Sequence, residues 1–476
     1  MPTARSSTPA PLAGCTPLFD AAGLREADRR ASEDHAMPSI LLMERAGLAT
    51  AEAILSGFPR AAAARVVVGS GNNGGDGMVV ARHLAERGWD VEAVAPGDPP
   101  STADGGAMTA IAVSLGIAVT PFRPDPAGGR VVVDALLGTG ARGAPRDAAA
   151  GAVEWMAGCG APVVAVDVPS GVEADHVADI GIPAAVAVPA AAWLVGEGAV
   201  AEMPRKAAAA DKYASGAVLV VAGSPGLTGA AALASRSALR AGAGLVVVAT
   251  PIAVQPAVAA HLLEVMSAPL PDEDGHLAPA SVEAVVEQAH RVTAIAIGPG
   301  LGRAEATTAA VADVLRRVDL PAVVDADGLW HLGEEPEIAG RRAAPAVLTP
   351  HAGEAARLLG RPRAEVEAAR LDAARELAAR SRVIVVLKGP GTIVAAPDGR
   401  IAVDGGGTPA LATAGTGDVL TGAVAAALAK GVEPFAAAAA AVAGHARAGR
   451  LAGRGDGTIA SDVLEALPEA FRPPAG

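Results

Sequence analysis

Aromatic residues are scarce in this 476-residue sequence: Phe, Tyr and Trp together make up 2% of it, with a single Tyr. Buried cores must therefore be built from Val, Leu, Ile and Ala, and binding of single-stranded nucleic acid through stacked bases is excluded as a principal role. Cysteine is almost as rare, Cys15 and Cys159 being the only two. Two thiols supply neither a disulfide framework nor a thiolate metal site, so a reducing compartment, the cytoplasm, is the expectation. Long apolar runs are missing too. The most apolar stretch, 182 to 201, is broken by Pro183, Pro189 and Glu197 and does not qualify as a membrane span. The first 14 residues, MPTARSSTPAPLAG, hold one arginine and no apolar segment, and read as a frayed tail and not as a signal peptide. Positive charge is in short supply, with 38 Lys and Arg against 51 Asp and Glu and a net charge of -13. Such a surface repels nucleic acid and anionic membranes. A phosphate-bearing ligand must then be held by local backbone N–H groups and a few placed cations.

What is present is an alternation of Val-rich runs with Ala/Leu/Arg-rich helical stretches, the pattern of parallel strands covered by helices. Expected strands in the first half are 65–71, 90–96, 130–138 and 161–171, preceded by an amphipathic helix over 39–55. In the second half they are 217–224, 244–251, 294–300, 321–328, 346–354 and 382–391, followed by a hairpin over 391–405 that turns at Pro397, Asp398 and Gly399. The Pro/Ala/Gly-rich stretch 182–211 is the best linker candidate. Two doubly wound α/β domains are expected, 1–200 and 205–476, with ligands beyond the carboxyl ends of the strands.

In the second half the strand ends carry glycine turns. AGTGD leads into a helix, so Gly415, Thr416 and Gly417 should offer amides to an anion, with Asp418 in the first turn. Asp418 is read either as a simple N-cap or as a catalytic carboxylate. KGPGT (Lys388, Gly389, Pro390, Gly391 and Thr392), IGPGLG around Gly300, and LTPHAGE with His351 and Glu354 occupy successive strand ends. His351 can equally be a structural residue of its loop.

In the order GSPGLTGAAALASRSALRAGAGLV, IGPGLG, DADGL, LTPHAGE, LKGPGT, ATAGTGDVLTG, residues 212 to 470 resemble the ADP- or ATP-dependent NAD(P)H-hydrate dehydratases of the ribokinase-like superfamily. The resemblance implies that ADP or ATP, with Mg²⁺, phosphorylates the added hydroxyl of hydrated NADH or NADPH, after which phosphate leaves. It implies Asp418 as the base, Lys388 to Thr392, Gly415 and Gly417 at the nucleotide, and Ala230, Gly300, His351 and Asp418 at the hydrate. A homo-oligomer is also expected. GTGD alone would equally suit a kinase of another small hydroxylated metabolite.

In the first half, VVVGSGNNGGDGMVV places Asn72, Asn73, Gly74, Gly75 and Asp76 in a turn between strand and helix, where Asn and Asp serve either as turn formers or as polar ligands. Asp134, Asp167 and Ser170 stand near two further strand ends. The set resembles the NAD(P)H-hydrate epimerases, a Rossmann-like three-layer sandwich. It implies a K⁺ ion at Asn73, Asp134 and Ser170, Asp167 in proton transfer, and the substrate held by residues 72–76 and by Gly138, Thr139, Gly140, Ala141, Arg142, Gly143 and Ala144. After Asp175 the family's pattern is shortened, with DIGIP following almost at once. A strand and one wall of the pocket are therefore expected to be missing and epimerase activity impaired; a rival reading makes this half a non-catalytic binding or assembly module.

Overall fold

The computed structural model describes residues 5–6, 12, 14–141, 143–171, 176–178, 187–207 and 209–473. Two compact units divide the chain, Met1–Pro9 with Phe19–Ala191 and Ala10–Leu18 with Ala192–Gly476.

The first unit is a parallel sheet of β1 (Ala63–Val68), β2 (Asp90–Ala95), β3 (Val119–Pro121), β4 (Val131–Ala135), β5 (Val163–Val166) and β6 (His176–Ala178), in the order β3-β2-β1-β4-β5-β6. Strand order reverses between β1 and β4, and the crevice at such a switch point is where doubly wound sheets bind ligands. Helices α1 (Ser39–Gly57) and α2 (Asn72–Glu86) pack on each other beside it. The expected strands 65–71, 90–96, 130–138 and 161–171 are all present in slightly shorter form. The shortening after Asp175 predicts a missing strand and an exposed sheet edge; in the structure β6 pairs with β5 from His176 to Ala178. Residues 172–175 and 179–186 lie outside the described residues, as does Arg142.

The second unit holds an eleven-stranded sheet. Its strands are β7 (Ala192–Val195), β8 (Ala217–Val221), β9 (Leu245–Pro251), β10 (Met266–Leu270), β11 (Ala294–Ile297), β12 (Ala322–Val324), β13 (Ala346–Leu348), β14 (Ile384–Leu387), β15 (Thr392–Ala395) and β16 (Ile401–Asp404). They run in the order β10-β9-β8-β11-β12-β13-β14-β15-β16-β7, and Thr16–Leu18 closes the far edge antiparallel to β7. The expected hairpin is β15 and β16, joined through the turn at 397–399. Two expectations change here. Part of the supposed linker, Ala192–Val195, is a strand, so the units divide ahead of the 200–205 boundary. The amino-terminal tail is tied down at its end, with Leu12 buried in the second core. A strand edge left open there would expose unpaired backbone groups, and these segments cover it.

With so few aromatics the second core relies on Ala and Val. Helices α3 (Thr228–Arg240), α5 (Thr416–Ala429) and α6 (Pro434–Ala452) bury mostly small residues, alanine above all in α6, which lets their backbones approach closely. Helix α4 (Ala352–Leu359) covers the opposite core. At Gly422 a Cβ would lie 2.2 Å from the Ala234 carbonyl oxygen. Alanine's helical advantage over glycine is about 1 kcal/mol, whereas overpacking against backbone costs about 1–3 kcal/mol. Gly422→Ala is therefore expected to lower the urea midpoint at unchanged m, and a raised midpoint would refute the close α3–α5 packing.

Candidate active sites in the two units

In the second unit the functional turns follow the carboxyl ends of β11, β12, β13 and β14. After β11, Gly298 (φ +130) has no room for a side chain, since a Cβ would lie 1.9 Å from the Asp325 carbonyl oxygen. Gly300 (φ +60) lies against α3, where a Cβ would sit 3.1 Å from Ala230 Cβ, so these two expected hydrate contacts are neighbours. The exits of β13 and β14 are joined: the Lys388 N–H donates to the Pro350 carbonyl at 2.8 Å, and His351 bridges to Lys388. In the turn Gly389–Thr392, Gly389 and Gly391 hold φ of +141 and +61, and Thr392 Oγ1 donates to the Gly389 carbonyl at 3.1 Å. Arg370 braces the turn by donating to the carbonyls of Pro390 and Leu387.

Helix α5 begins at Thr416, and its N-cap is Gly415 at φ +91. Asp418 is therefore not the N-cap. It sits in the first turn, whose leading amides have no helical acceptor and can face an anion. Burial, reinforced by the negative charge of Asp325, pushes the Asp418 carboxyl up to about 7 although Lys388 opposes this. Buried His445 donates from Nε2 to the Thr416 carbonyl at 2.9 Å and is held neutral, burial lowering it to about 4.

Lys388 faces inward. Its Nζ lies 2.7 Å from Asp325 Oδ1 and 3.8 Å from Glu354 Oε2. A Cβ on Gly417 would be 3.4 Å from that nitrogen, so the ammonium underlies the first turn of α5. His351 is exposed and caps α4. Its Nδ1 accepts from the N–H groups of Gly353 at 3.0 Å and Glu354 at 3.1 Å, which leaves the proton on Nε2, while Glu354 accepts from the His351 N–H at 2.7 Å. His351 Nε2 lies 3.6 Å from Glu354 Oε1.

In the first unit a cavity of about 800 Å³ opens at the switch point. Asn72, Asn73, Asp76, Gly138, Thr139, Gly140, Ala141 and Asp167 line it. Gly74 and Gly75 do not. They let the start of α2 pack, since a Cβ would meet the Gly69 carbonyl oxygen at 1.9 Å or Gly105 Cα at 2.7 Å. Gly143 and Ala144 are not among the lining residues either. Asp167 holds a left-handed φ of +65, a strained conformation for an aspartate and one common at functional sites. Burial and then the charge of Asp28 push its carboxyl up to about 6. Asp76 is held well above the usual carboxylate range by burial, with Asp167 and Asp28 adding to it.

Asn73, Asp134 and Ser170 meet at Leu137. Asn73 Nδ2 donates to the Leu137 carbonyl at 2.8 Å, and the Leu137 N–H donates to Ser170 Oγ at 2.8 Å. Ser170 in turn donates from Oγ and N to the two Asp134 oxygens at 2.6 and 2.7 Å. Asn73 Oδ1 is buried without a partner among the described residues. Sequence reasoning passed over Asp325, Thr421, Arg370, His445, Asp28 and Arg25, which donates to the Thr139 carbonyl at 2.6 Å. Asp325 had a signal: like Asp134, it is an acid that directly follows a run of valines at the carboxyl end of a strand.

Residues 218–469 match the NAD(P)H-hydrate dehydratase family and residues 39–203 match the YjeF-related protein N-terminus. Over 517 aligned residues the chain is 37% identical to the bifunctional NAD(P)H-hydrate repair enzyme Nnr of Moorella thermoacetica, covering 96% of each chain. An alignment longer than this chain means that the relative carries residues this chain lacks. The enzyme of the same name from Escherichia coli is 31% identical, covering 94% of this chain and 93% of its own. Among solved structures, the ADP/ATP-dependent NAD(P)H-hydrate dehydratase of Bacillus subtilis, co-crystallised with ATP/Mg²⁺, is 33% identical with a TM-score of 0.50 and covers 58% of this chain and 96% of its own. With both units matched in order and nearly the whole length covered, the chain belongs to the bifunctional NAD(P)H-hydrate repair enzymes.

Proposed function

We propose that the second unit dehydrates the S form of hydrated NADH or NADPH with ADP or ATP as phosphoryl donor, and that the first unit interconverts the R and S forms. The observation that carries the first assignment is the half-buried Asp418 carboxylate beside the open amides of α5, between two glycine turns. Asp418 accepts the hydroxyl proton as that oxygen attacks phosphorus. The amides of Gly415 and Gly417 stabilise the transferring charge. Phosphate then leaves where water would leave only sluggishly. Backbone groups of Gly389–Thr392 and Gly417 hold the nucleotide, while Ala230, Gly300 and His351 face the hydrate; Mg²⁺ entering with the nucleotide would supply positive charge for the transferring phosphoryl group. Lys388 contributes positive charge from beneath Gly417.

In the first unit the residues fit a K⁺ ion. The orphaned Asn73 Oδ1, the Asp134 carboxylate, Ser170 Oγ and the Leu137 carbonyl form an all-oxygen set with a single carboxylate. When bound, such an ion would supply positive charge near the substrate's polar groups. Asp167 exchanges the proton, and the substrate rests on Asn72, Asn73, Asp76 and residues 138–141. A homo-oligomeric cytoplasmic protein is part of the same reading. No helix among the described residues is long and apolar enough to cross a membrane.

Hydrated NADH incubated with the protein, Mg²⁺ and either nucleotide should regain nicotinamide absorbance with release of one phosphate per NADH. A stable phosphorylated product would instead mark a kinase of another metabolite.

A further inference from the structure

The acid that the proposed chemistry leaves unused, Asp325, is also among the most deeply buried in the second unit, at 1% exposure. One of its oxygens lies 2.7 Å from Lys388 Nζ, and the other accepts from Thr421 Oγ1 at 2.5 Å. Thr421 stands three residues after Asp418 on the same face of α5. Asp325 therefore ties the catalytic helix to the exit of β14 through a charge pair. Lys388 is shared further, with Glu354 Oε2 at 3.8 Å, and its ammonium underlies Gly417. Two carboxylates thus divide one ammonium directly below the first turn of α5.

We propose that Asp325 is a positioning residue of the dehydratase: by holding the Lys388 ammonium between itself and Glu354 beneath Gly417, it fixes the local charge that Asp418 faces during proton transfer. The inference rests on the reading of Asp418 as the base. Burial alone would lower the Lys388 ammonium, but Asp325 and Glu354 hold it above its ordinary value, so the pair stays ionised. Asp325 is kept below the usual carboxylate range, its burial outweighed by Lys388, whereas burial raises Glu354. The other groups around Asp418 are accounted for. Asp327 lies 3.5 Å from Arg303, His351 caps α4, and His445 of α6 stays neutral. Removing the Asp325 charge leaves an unpaired cation near Asp418 and favours its ionised form. Removing the Lys388 charge leaves unpaired carboxylates and disfavours it.

The test is the pH profile of kcat/KM, which reports the free enzyme, for nucleotide-dependent dehydration by the full chain. The rising limb of the wild type should centre near 7, where the Asp418 carboxyl titrates. Asp325→Asn should move it about one pH unit lower and Lys388→Met about one unit higher, with the double variant returning toward the wild type. A residue that only pins the fold would lower thermal stability and total activity without displacing the limb. Because the two displacements have opposite signs, either single variant that folds decides the matter. Limbs that stay in place, or move together, while Asp418→Asn is inactive overturn the positioning role alone. Full activity in Asp418→Asn overturns the base and this inference with it.

Discussion

Asp418→Asn is expected to lower nucleotide-dependent dehydration by about 10²–10⁴-fold, the usual contribution of a general base, while leaving the fold and nucleotide affinity nearly intact. Asparagine keeps the shape of the side chain but cannot accept the hydroxyl proton. The N-cap of α5 is Gly415, so no capping interaction is lost. Asp418 is also crowded by Asp325, Asp327 and Glu354, and a neutral amide relieves that repulsion. Single-turnover rates with hydrated NADH, set beside thermal unfolding and a nucleotide titration, check the three parts. A variant within about threefold of the wild type would remove Asp418 from the chemistry. The wild-type rate should rise with pH through about 7, because the ionised carboxylate is the active form.

Pure R hydrate with excess nucleotide should disappear faster with the protein than without it, and Asp167→Asn should remove that acceleration, a loss of about 10²–10⁴-fold. This reverses what the shortened sequence after Asp175 suggested. The cavity lies at the switch point between β1 and β4, whereas the shortening follows β5, toward the far edge, where β6 still pairs. Asp167, Asn73 and Asp76 all line that cavity. With its carboxyl pushed up to about 6 by burial, Asp167 carries the proton-accepting form above that pH, so epimerisation should fade as pH falls through 6. Decay of R at the spontaneous rate, with S consumed normally, would make the first unit a binding module without catalysis.

Much of this architecture was legible because its signals are local. A run such as RVVVDALLG specifies a strand buried on both faces within a few residues, and the glycine turns at its end announce where backbone must approach a ligand. Those signals were enough for the parallel strands, the hairpin and the motif residues at the strand ends. The grouping of Ala230 with Gly300, and of Asn73 with Asp134 and Ser170, came only from the family resemblance and from no local signal.

By itself, then, the sequence determined two parallel α/β sheets, their strand-end turns and the acid at the head of α5, since each depends on neighbours within one turn or one strand. Only the tertiary structure decided how distant segments share edges and charges. Ala192–Val195, inside the stretch that looked like a linker, pairs with β16 and with Thr16–Leu18, because backbone pairing depends on register and proximity and not on a distinctive composition. Asp325 and Lys388 lie 63 positions apart and carry no common motif, yet burial in one low-dielectric crevice forces them to pair. The same crevice raises Asp418 while His351 stays exposed as the cap of α4, a division set by which side chains lose water when the sheet closes.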